Sequence, residues 1–278
     1  MHNTIEMTIL IFISDLDGTI VYSGYPEDLC VEYRGEDEIT YMTAEAHKLF
    51  SNLLNKPDFI FIPCTLRSVE QTCRISFIKE GKAEWLICDN GFSIYHNGIL
   101  DKHWDSVMQA ELSKYPNDEI YQRLFTFVAS HSELCRIKDN RSAFFTIIFD
   151  NAEIANTKFS EIISIVGSES YNFNLQGRKM YILPKFLNKA LAVEYLLNRL
   201  PKGKTITAGD SSVDELFMQC GNVIIIPKHS QIQKSSAIIT NNRKIKAGED
   251  IIKTVYNEYS HQAHKKIPMA YKSNAYSG

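Results

Sequence analysis

Ile9-Leu-Ile-Phe-Ile-Ser-Asp-Leu-Asp-Gly-Thr19 decides how the rest of the chain is read. Its first half is apolar, rich in β-branched residues and without helical spacing, as a buried strand requires. Its second half delivers two carboxylates, Asp15 and Asp17, at the strand's carboxyl end. Charge is costly there unless something compensates it, and a divalent cation is the natural candidate. Gly18 then lets the backbone turn sharply. An Asp-Gly turn after a strand is by itself common, so the remaining segments must decide whether this one carries chemistry.

The chain has 278 residues, enough for one large domain or two modest ones. Its apolar and charged fractions are those of an ordinary globular protein. A net charge of −3 gives no global electrostatic case for nucleic acid or an anionic membrane. The apolar run at the N-terminus is too short to span a bilayer, runs straight into acids and lacks a basic leader. A cytoplasmic protein is expected. The six cysteines are scattered, without a C-x-x-C pair, and read as buried reduced thiols. His261 and His264 sit in a polar tail and read as solvated rather than metal-binding.

Strand-like runs at Ile9–Ser14, 58–63, Trp85–Cys88, 205–208 and Val223–Ile226 alternate with helical patterns at 43–54, 68–79 and 188–200. That alternation predicts an α/β fold with a largely parallel sheet. Ser68-x-x-Gln71 has the form of an N-terminal capping box. The middle differs. Residues 104–130 read as helix broken near Pro116, 134–150 as a hairpin turning at Asp139-Asn140, 151–166 as helix capped by Asn151, and 171–183 as a hairpin turning at Gln176-Gly177. Paired strands without crossovers predict an inserted antiparallel α+β unit of order αββαββ. The expected division is core 1–92, cap 93–183, core 184–260, and a disordered polar tail 261–278.

Two more apolar runs end in polar groups: Phe59-Ile-Phe-Ile-Pro-Cys-Thr65, followed by Leu66-Arg67, and Thr205-Ile-Thr-Ala-Gly-Asp210. In a parallel sheet such carboxyl ends meet at one edge, where ligands bind. Lys189 opens an apolar helix, where its charge opposes the helix dipole and favours a nearby anion.

In their order and spacing these segments resemble the four motifs of the haloacid dehalogenase superfamily: D-L-D-G-T at 15–19, Thr65, Lys189, and G-D-S-S-V-D at 209–214. The gap between Thr65 and Lys189 resembles the subgroup that inserts an α/β cap there, which includes sucrose-, trehalose- and mannosylglycerate-phosphate phosphatases and phosphomannomutases. I-C-D-N-G-F-S-I-Y from Ile87, L-P-K-F-L-N-K-A-L-A from Leu183 and G-E-D-I-I from Gly248 extend the resemblance over nearly the whole chain outside the cap interior and tail. It implies a Rossmann-like three-layer core with a central parallel sheet.

The resemblance also implies roles. Asp15 would be the nucleophile and form an aspartyl phosphate. Asp17 would be the general acid and then the base, with close carboxylates splitting their pKa values so that one holds a proton. Mg²⁺ would be held by Asp15, the Asp17 backbone carbonyl and Asp210, with Asp214 supporting. Thr65 and Lys189 would bind the phosphoryl oxygens. Arg67, Lys185, Arg141, Arg178 and Lys179 are candidates for reaching a substrate, while Phe144, Phe145 and Phe149 read as cap core. Leu66, Val213 and Ala190 depart from the subgroup's usual Gly, Asn and Gly. Leu66 is expected to narrow the site or alter its loop, and Val213 to weaken support of the metal.

The expected function is an Mg²⁺-dependent phosphatase of a small phosphorylated carbohydrate or related metabolite. The alternatives are a phosphomutase of the same fold and a phospho-ligand-binding protein with little turnover. No protein partner, nucleic acid or membrane is expected.

Overall fold

The computed structural model describes residues 9–265. β1 (Ile9–Ser14) is followed by a hairpin, β2 (Leu29–Arg34) and β3 (Asp37–Met42), then α1 (Ala44–Leu54) and β4 (Phe59–Pro63). Two short helices, α2 (Val69–Thr72) and α3 (Ser76–Lys79), lead to β5 (Trp85–Cys88), β6 (Ser93–His96), β7 (Ile99–Leu100) and α4 (Lys102–Leu112). Next come α5 (Asn117–Ser130), β8 (Cys135–Asn140), β9 (Phe144–Phe149), α6 (Ala152–Val166), β10 (Tyr171–Gln176) and β11 (Lys179–Pro184). The chain closes with α7 (Lys189–Leu197), β12 (Gly203–Ala208), α8 (Glu215–Met218), β13 (Val223–Ile226), β14 (Ile238–Ile239) and α9 (Ile245–Lys265).

The central sheet has the order β14-β13-β12-β1-β4, and every pairing in it is parallel. Alternate residues of β1 explain its unbroken apolar run, because the sheet is covered on both faces. Leu10 and Phe12 enter one hydrophobic cluster with Phe50 and Leu53 of α1 and Ile251 and Val255 of α9. Ile11 and Ile13 enter another with Trp104 of α4, Leu196 of α7 and Phe217 of α8. Three layers result. Each large side chain so buried contributes about 1.5–3 kcal/mol relative to leaving it in water. β5 extends this arrangement beside β4 through a parallel bridge from Cys64 to Ile87.

The second unit is a four-stranded sheet of order β10-β11-β9-β8, antiparallel throughout. Strand alternation gives it two unlike faces. Phe145, Ile147, Phe149, Met180 and Ile182 bury against α5 and α6 through Leu124, Phe127, Ala155 and Ile162. The opposite face carries Lys138, Thr146, Lys179 and Tyr181, and it lines a cleft toward the first unit. Phe144 is buried in the cluster shared with the core, so none of the three phenylalanines offers a platform to solvent.

Several local expectations change. Residues 68–79 do not form one helix. The capping box of Ser68 and Gln71 is present, but Ile75 leaves helical geometry to bridge Glu32 of β2. The turn after β8 is made by Arg141 and Ser142, both at positive φ, not by Asp139-Asn140. Asp139 accepts from the Ser142 N–H at 2.6 Å, and Asn140 remains in the strand, where it donates to Thr146. α7 stops at Leu197, ahead of Pro201, which cannot continue a helix. The β2–β3 hairpin was not expected. β6 pairs with β5, and Trp104 and Met108 of α4 pack on the core. We therefore propose that the inserted unit begins near Pro116 rather than at Ser93. α9 carries residues 261–265 as helix. The rest of the expected disordered tail, 266–278, lies outside the described residues. The cysteines make no disulfide, and among the described residues no helix is long and apolar enough to cross a membrane.

Candidate active site

Parallel register brings the polar strand ends together. Ser14 pairs with Ala208 on one side and Pro63 on the other. The N–H of Asp15 donates to Ala208 O, that of Cys64 to Ser14 O, and that of Thr65 to Ile87 O, each at 2.8–2.9 Å. Asp15, Thr65 and Asp210 therefore leave the sheet at one edge.

Lys189 reaches this edge from the first turn of α7, whose N-cap, Asn188, accepts from the Leu191 N–H. Its amine is 1% exposed and lies 2.6 Å from both Asp15 Oδ1 and Asp214 Oδ1. Burial works against its charge, but the two carboxylates outweigh burial and hold the ammonium above its ordinary pKa. The turn at Asp89-Asn90-Gly91 fixes where α7 starts. All three residues have positive φ, and the Asn90 side chain donates to Leu187 O. A Cβ on Gly91 would come 2.7 Å from Asn188 O.

Asp214 is saturated. Its second oxygen accepts from the Asp210 and Ser211 N–H groups and from Ser211 Oγ, at 2.8–3.2 Å. It orients Lys189 and the 209–211 turn rather than offering an open oxygen. Asp15, Asp210 and Asp214 nevertheless each place an oxygen within 4.8 Å of one another. One lysine cannot neutralise three acids. Burial, with Asp214 and Asp210 beside it, pushes Asp15 well above the carboxylate range despite Lys189. Burial and Asp214 push Asp210 up to about 7. Surplus negative charge in an all-oxygen set fits a hard divalent cation.

Gly18 makes this closeness possible. It sits at φ +77°, and a Cβ there would come 2.5 Å from Asp210 Oδ2. Its carbonyl is held by Tyr22 Oη at 2.7 Å and by His229 Nε2 at 2.9 Å. His229 Nδ1 accepts from the Lys244 N–H, so the ring is assigned the tautomer with its proton on Nε2.

Asp17 opens into the cleft and is gripped by Arg67, with Nε to Oδ2 at 2.6 Å and Nη2 to Oδ1 at 2.7 Å. Burial alone would raise its pKa, but the Arg67 charge and both hydrogen bonds hold it below the ordinary carboxylate value. The pKa split between the two aspartates thus runs opposite to that needed for a protonated Asp17. Arg67 is anchored from behind by Glu32, a fully buried acid that also pairs with Arg74 and accepts from Thr40.

Asp15, Asp17, Thr65, Leu66, Arg178 and Asp210 are among the residues that line one cavity of about 240 Å³. Tyr181, Gln176, Lys179 and Val213 complete much of its wall. Thr65 is buried, and its hydroxyl accepts from the Arg67 N–H. Lys185 is not brought in; it is exposed at the end of β11. Arg141 is engaged elsewhere, donating to Ser93 Oγ at 2.6 Å near Asp89. Sequence reasoning missed Glu32, Ser211, Tyr181 and His229. For Glu32 a signal existed, an acid within an alternating run before Gly35; for His229 there was none.

A family model described as sucrose-6F-phosphate phosphohydrolase matches residues 8–255. Among solved structures, the sucrose-phosphatase from Synechocystis in complex with sucrose and phosphate superposes with a TM-score of 0.57 at 16% identity, covering 89% of this chain and 98% of that one. A trehalose-6-phosphate phosphatase related protein gives 0.55 at 19% identity, covering 91% and 99%. A haloacid dehalogenase-like hydrolase from Bacteroides thetaiotaomicron gives 0.59 at 13%, covering 90% and 99%. At such identities these likenesses speak to the fold. No curated protein sequence matches the chain. With the family model spanning both units, the three strand-end motifs and Lys189, the chain belongs to the sucrose-6F-phosphate phosphohydrolase family of haloacid dehalogenase-like phosphatases.

Proposed function

We propose that the protein is an Mg²⁺-dependent phosphatase that hydrolyses a small phosphorylated carbohydrate or related metabolite through an aspartyl phosphate. The observation that carries this is Asp15, a buried carboxylate at the mouth of a cavity, held by Lys189 on one oxygen. Among the described residues nothing donates a hydrogen bond to its other oxygen, which is left for attack.

Asp15 attacks as the carboxylate, the form its Lys189 contact favours. In the first step that oxygen attacks phosphorus, the bond from phosphorus to the leaving oxygen breaks, and Asp17 supplies the leaving oxygen with a proton. In the second, water attacks phosphorus, gives its proton to Asp17, and the bond to Asp15 breaks to release phosphate. Lys189 and the Thr65 hydroxyl face the phosphoryl oxygens and stabilise charge as it spreads over them. Asp15 and Asp210, with the Asp17 carbonyl, would hold Mg²⁺, which supplies Lewis-acid neutralisation of the phosphoryl group. Because Arg67 keeps Asp17 ionised, Asp17 takes up its proton only when Arg67 turns to a bound anion. Leu66 lines the cavity and narrows it from the Thr65 side.

Hydrolysis of p-nitrophenyl phosphate with Mg²⁺ tests the reading. The wild type is expected to turn over, and Asp15→Asn to lose at least about 1000-fold in rate. Equal rates in the two would remove Asp15 as nucleophile.

A further inference from the structure

A second chamber of about 310 Å³ adjoins the catalytic cavity, sharing Asp17, Ser23, Leu66, Lys179 and Tyr181 as common wall. Its lining carries five cationic side chains, Arg34, Arg67, Arg74, Lys138 and Lys179, against two carboxylates, Asp17 and Glu32. The chain as a whole has a charge of −3, so the positive surplus is local. Pairing accounts for three of the five: Arg67 with Asp17 and Glu32, Arg74 with Glu32, and Arg34 with Asp37 on the rim.

Lys138 and Lys179 remain. Among the described residues neither makes an ion pair within 4 Å, although Lys179 is near enough to Asp17 to help hold it ionised. Lys138 Nζ donates to the neutral Gln71 Oε1 at 3.1 Å. Both stand on the cleft-facing side of the cap sheet, Lys138 on β8 opposite Thr146 and Lys179 on β11 opposite Ile148. Burial pushes the Lys138 pKa down, and Lys179 and Arg74 add to that against the pull of Asp89 and Glu70. Lys138 is half-buried and Lys179 exposed at the cleft, and a partly dehydrated Lys138 repelled by its cationic neighbours costs free energy that an anion bound beside it would recover. A neutral, hydroxyl-bearing group would not recover it.

We propose that this chamber binds a second anionic group, carboxylate or phosphoryl, carried on the leaving portion of the substrate. The proposal rests on the phosphatase reading and narrows its substrate class. The common wall lets one small molecule present its ester to Asp15 and its second charge to Lys138 and Lys179. Ser23, Gln71, Asn140 and Thr146 in the same lining supply neutral hydrogen-bonding groups for what lies between.

The test compares kcat/KM, with Mg²⁺, for a hexose monophosphate, the matching phosphorylated aldonic acid and a hexose bisphosphate. The full chain is used as wild type, Lys138→Gln and Lys138→Arg. The wild type is expected to favour at least one doubly anionic ester by about 10-fold or more over the neutral one. Preference for the aldonic acid assigns a carboxylate, and preference for the bisphosphate a second phosphoryl group. Lys138→Gln should lower the anionic-to-neutral ratio about 10-fold while Lys138→Arg keeps it. A wild type that turns over the neutral ester as well as both others overturns the proposal and leaves the phosphatase reading standing. So does a ratio unmoved by Lys138→Gln. Failure of the wild type on every ester, p-nitrophenyl phosphate included, instead overturns the phosphatase reading, and this inference with it.

Discussion

Replacing Lys189 by Met removes a buried charge while leaving a side chain of similar length and apolar body. Lys189 is 1% exposed and makes two ion pairs at 2.6 Å, with partners that are themselves 10% and 0% exposed. Solvent cannot take over for the lost amine, so Asp214 is left as a buried charge without its cation, and Asp15 loses the group that favours its ionised form. Breaking a buried pair in this way costs about 3–5 kcal/mol, a large part of the roughly 5–15 kcal/mol that holds a domain folded. Urea unfolding followed by circular dichroism, near neutral pH and without metal, should show that loss as a lower midpoint at unchanged slope. The cost should shrink in an Asp214→Asn background, because the stranded carboxylate is already neutral. The same variant should lose about 100- to 1000-fold in kcat, since in the proposed mechanism the amine also neutralises phosphoryl charge. A stability loss under about 1 kcal/mol, the scale of an exposed pair, would refute the claim that Lys189 neutralises the acid cluster.

Two further outcomes follow from the same cluster. Asp210 rises from 3.8 to about 7 in the folded protein, so ionising it opposes folding, and metal-free stability should fall as pH rises between those values. Mg²⁺ favours the ionised form, so its effect on melting temperature should be larger at about pH 8 than at about pH 5; equal shifts would remove Asp210 as a ligand. Gly18→Ala places a Cβ at φ +77° and 2.5 Å from Asp210 Oδ2. It should cost about 1–2 kcal/mol in backbone strain and weaken Mg²⁺ binding about 10-fold. Gly24→Ala is the control, at φ +81° with nothing within 4 Å; titration calorimetry should show its Mg²⁺ affinity unchanged.

The sequence by itself determined the layered core and the strand ends that carry polar groups. β1 reads as buried because both of its faces are apolar, and both faces enter separate clusters. The inserted unit was legible from local signals: Asn151 as the cap of α6, Gly177 in the turn of the second hairpin, and the pairing of β-rich runs. The β2–β3 hairpin was also written locally, as alternating residues around Gly35, and was not read. What escaped for physical reasons was long-range. Helix periodicity over 68–79 could not show that Ile75 would be drawn out to pair with Glu32, 43 positions earlier. Strand ends and the family resemblance together brought Asp15, Thr65, Lys189 and Asp210 into one expected group, but not the sign of the aspartates' pKa shifts. Those depend on how many carboxylates share Lys189 and on Arg67 reaching Asp17 rather than solvent. Lys185 and Arg178 looked alike as substrate contacts. Only the turn of β11 decided that Arg178 lines the cavity and Lys185 does not. The adjoining chamber has no sequence signature, because Arg74, Lys138 and Lys179 become neighbours only once the cap sheet faces the turn after α2 across the cleft.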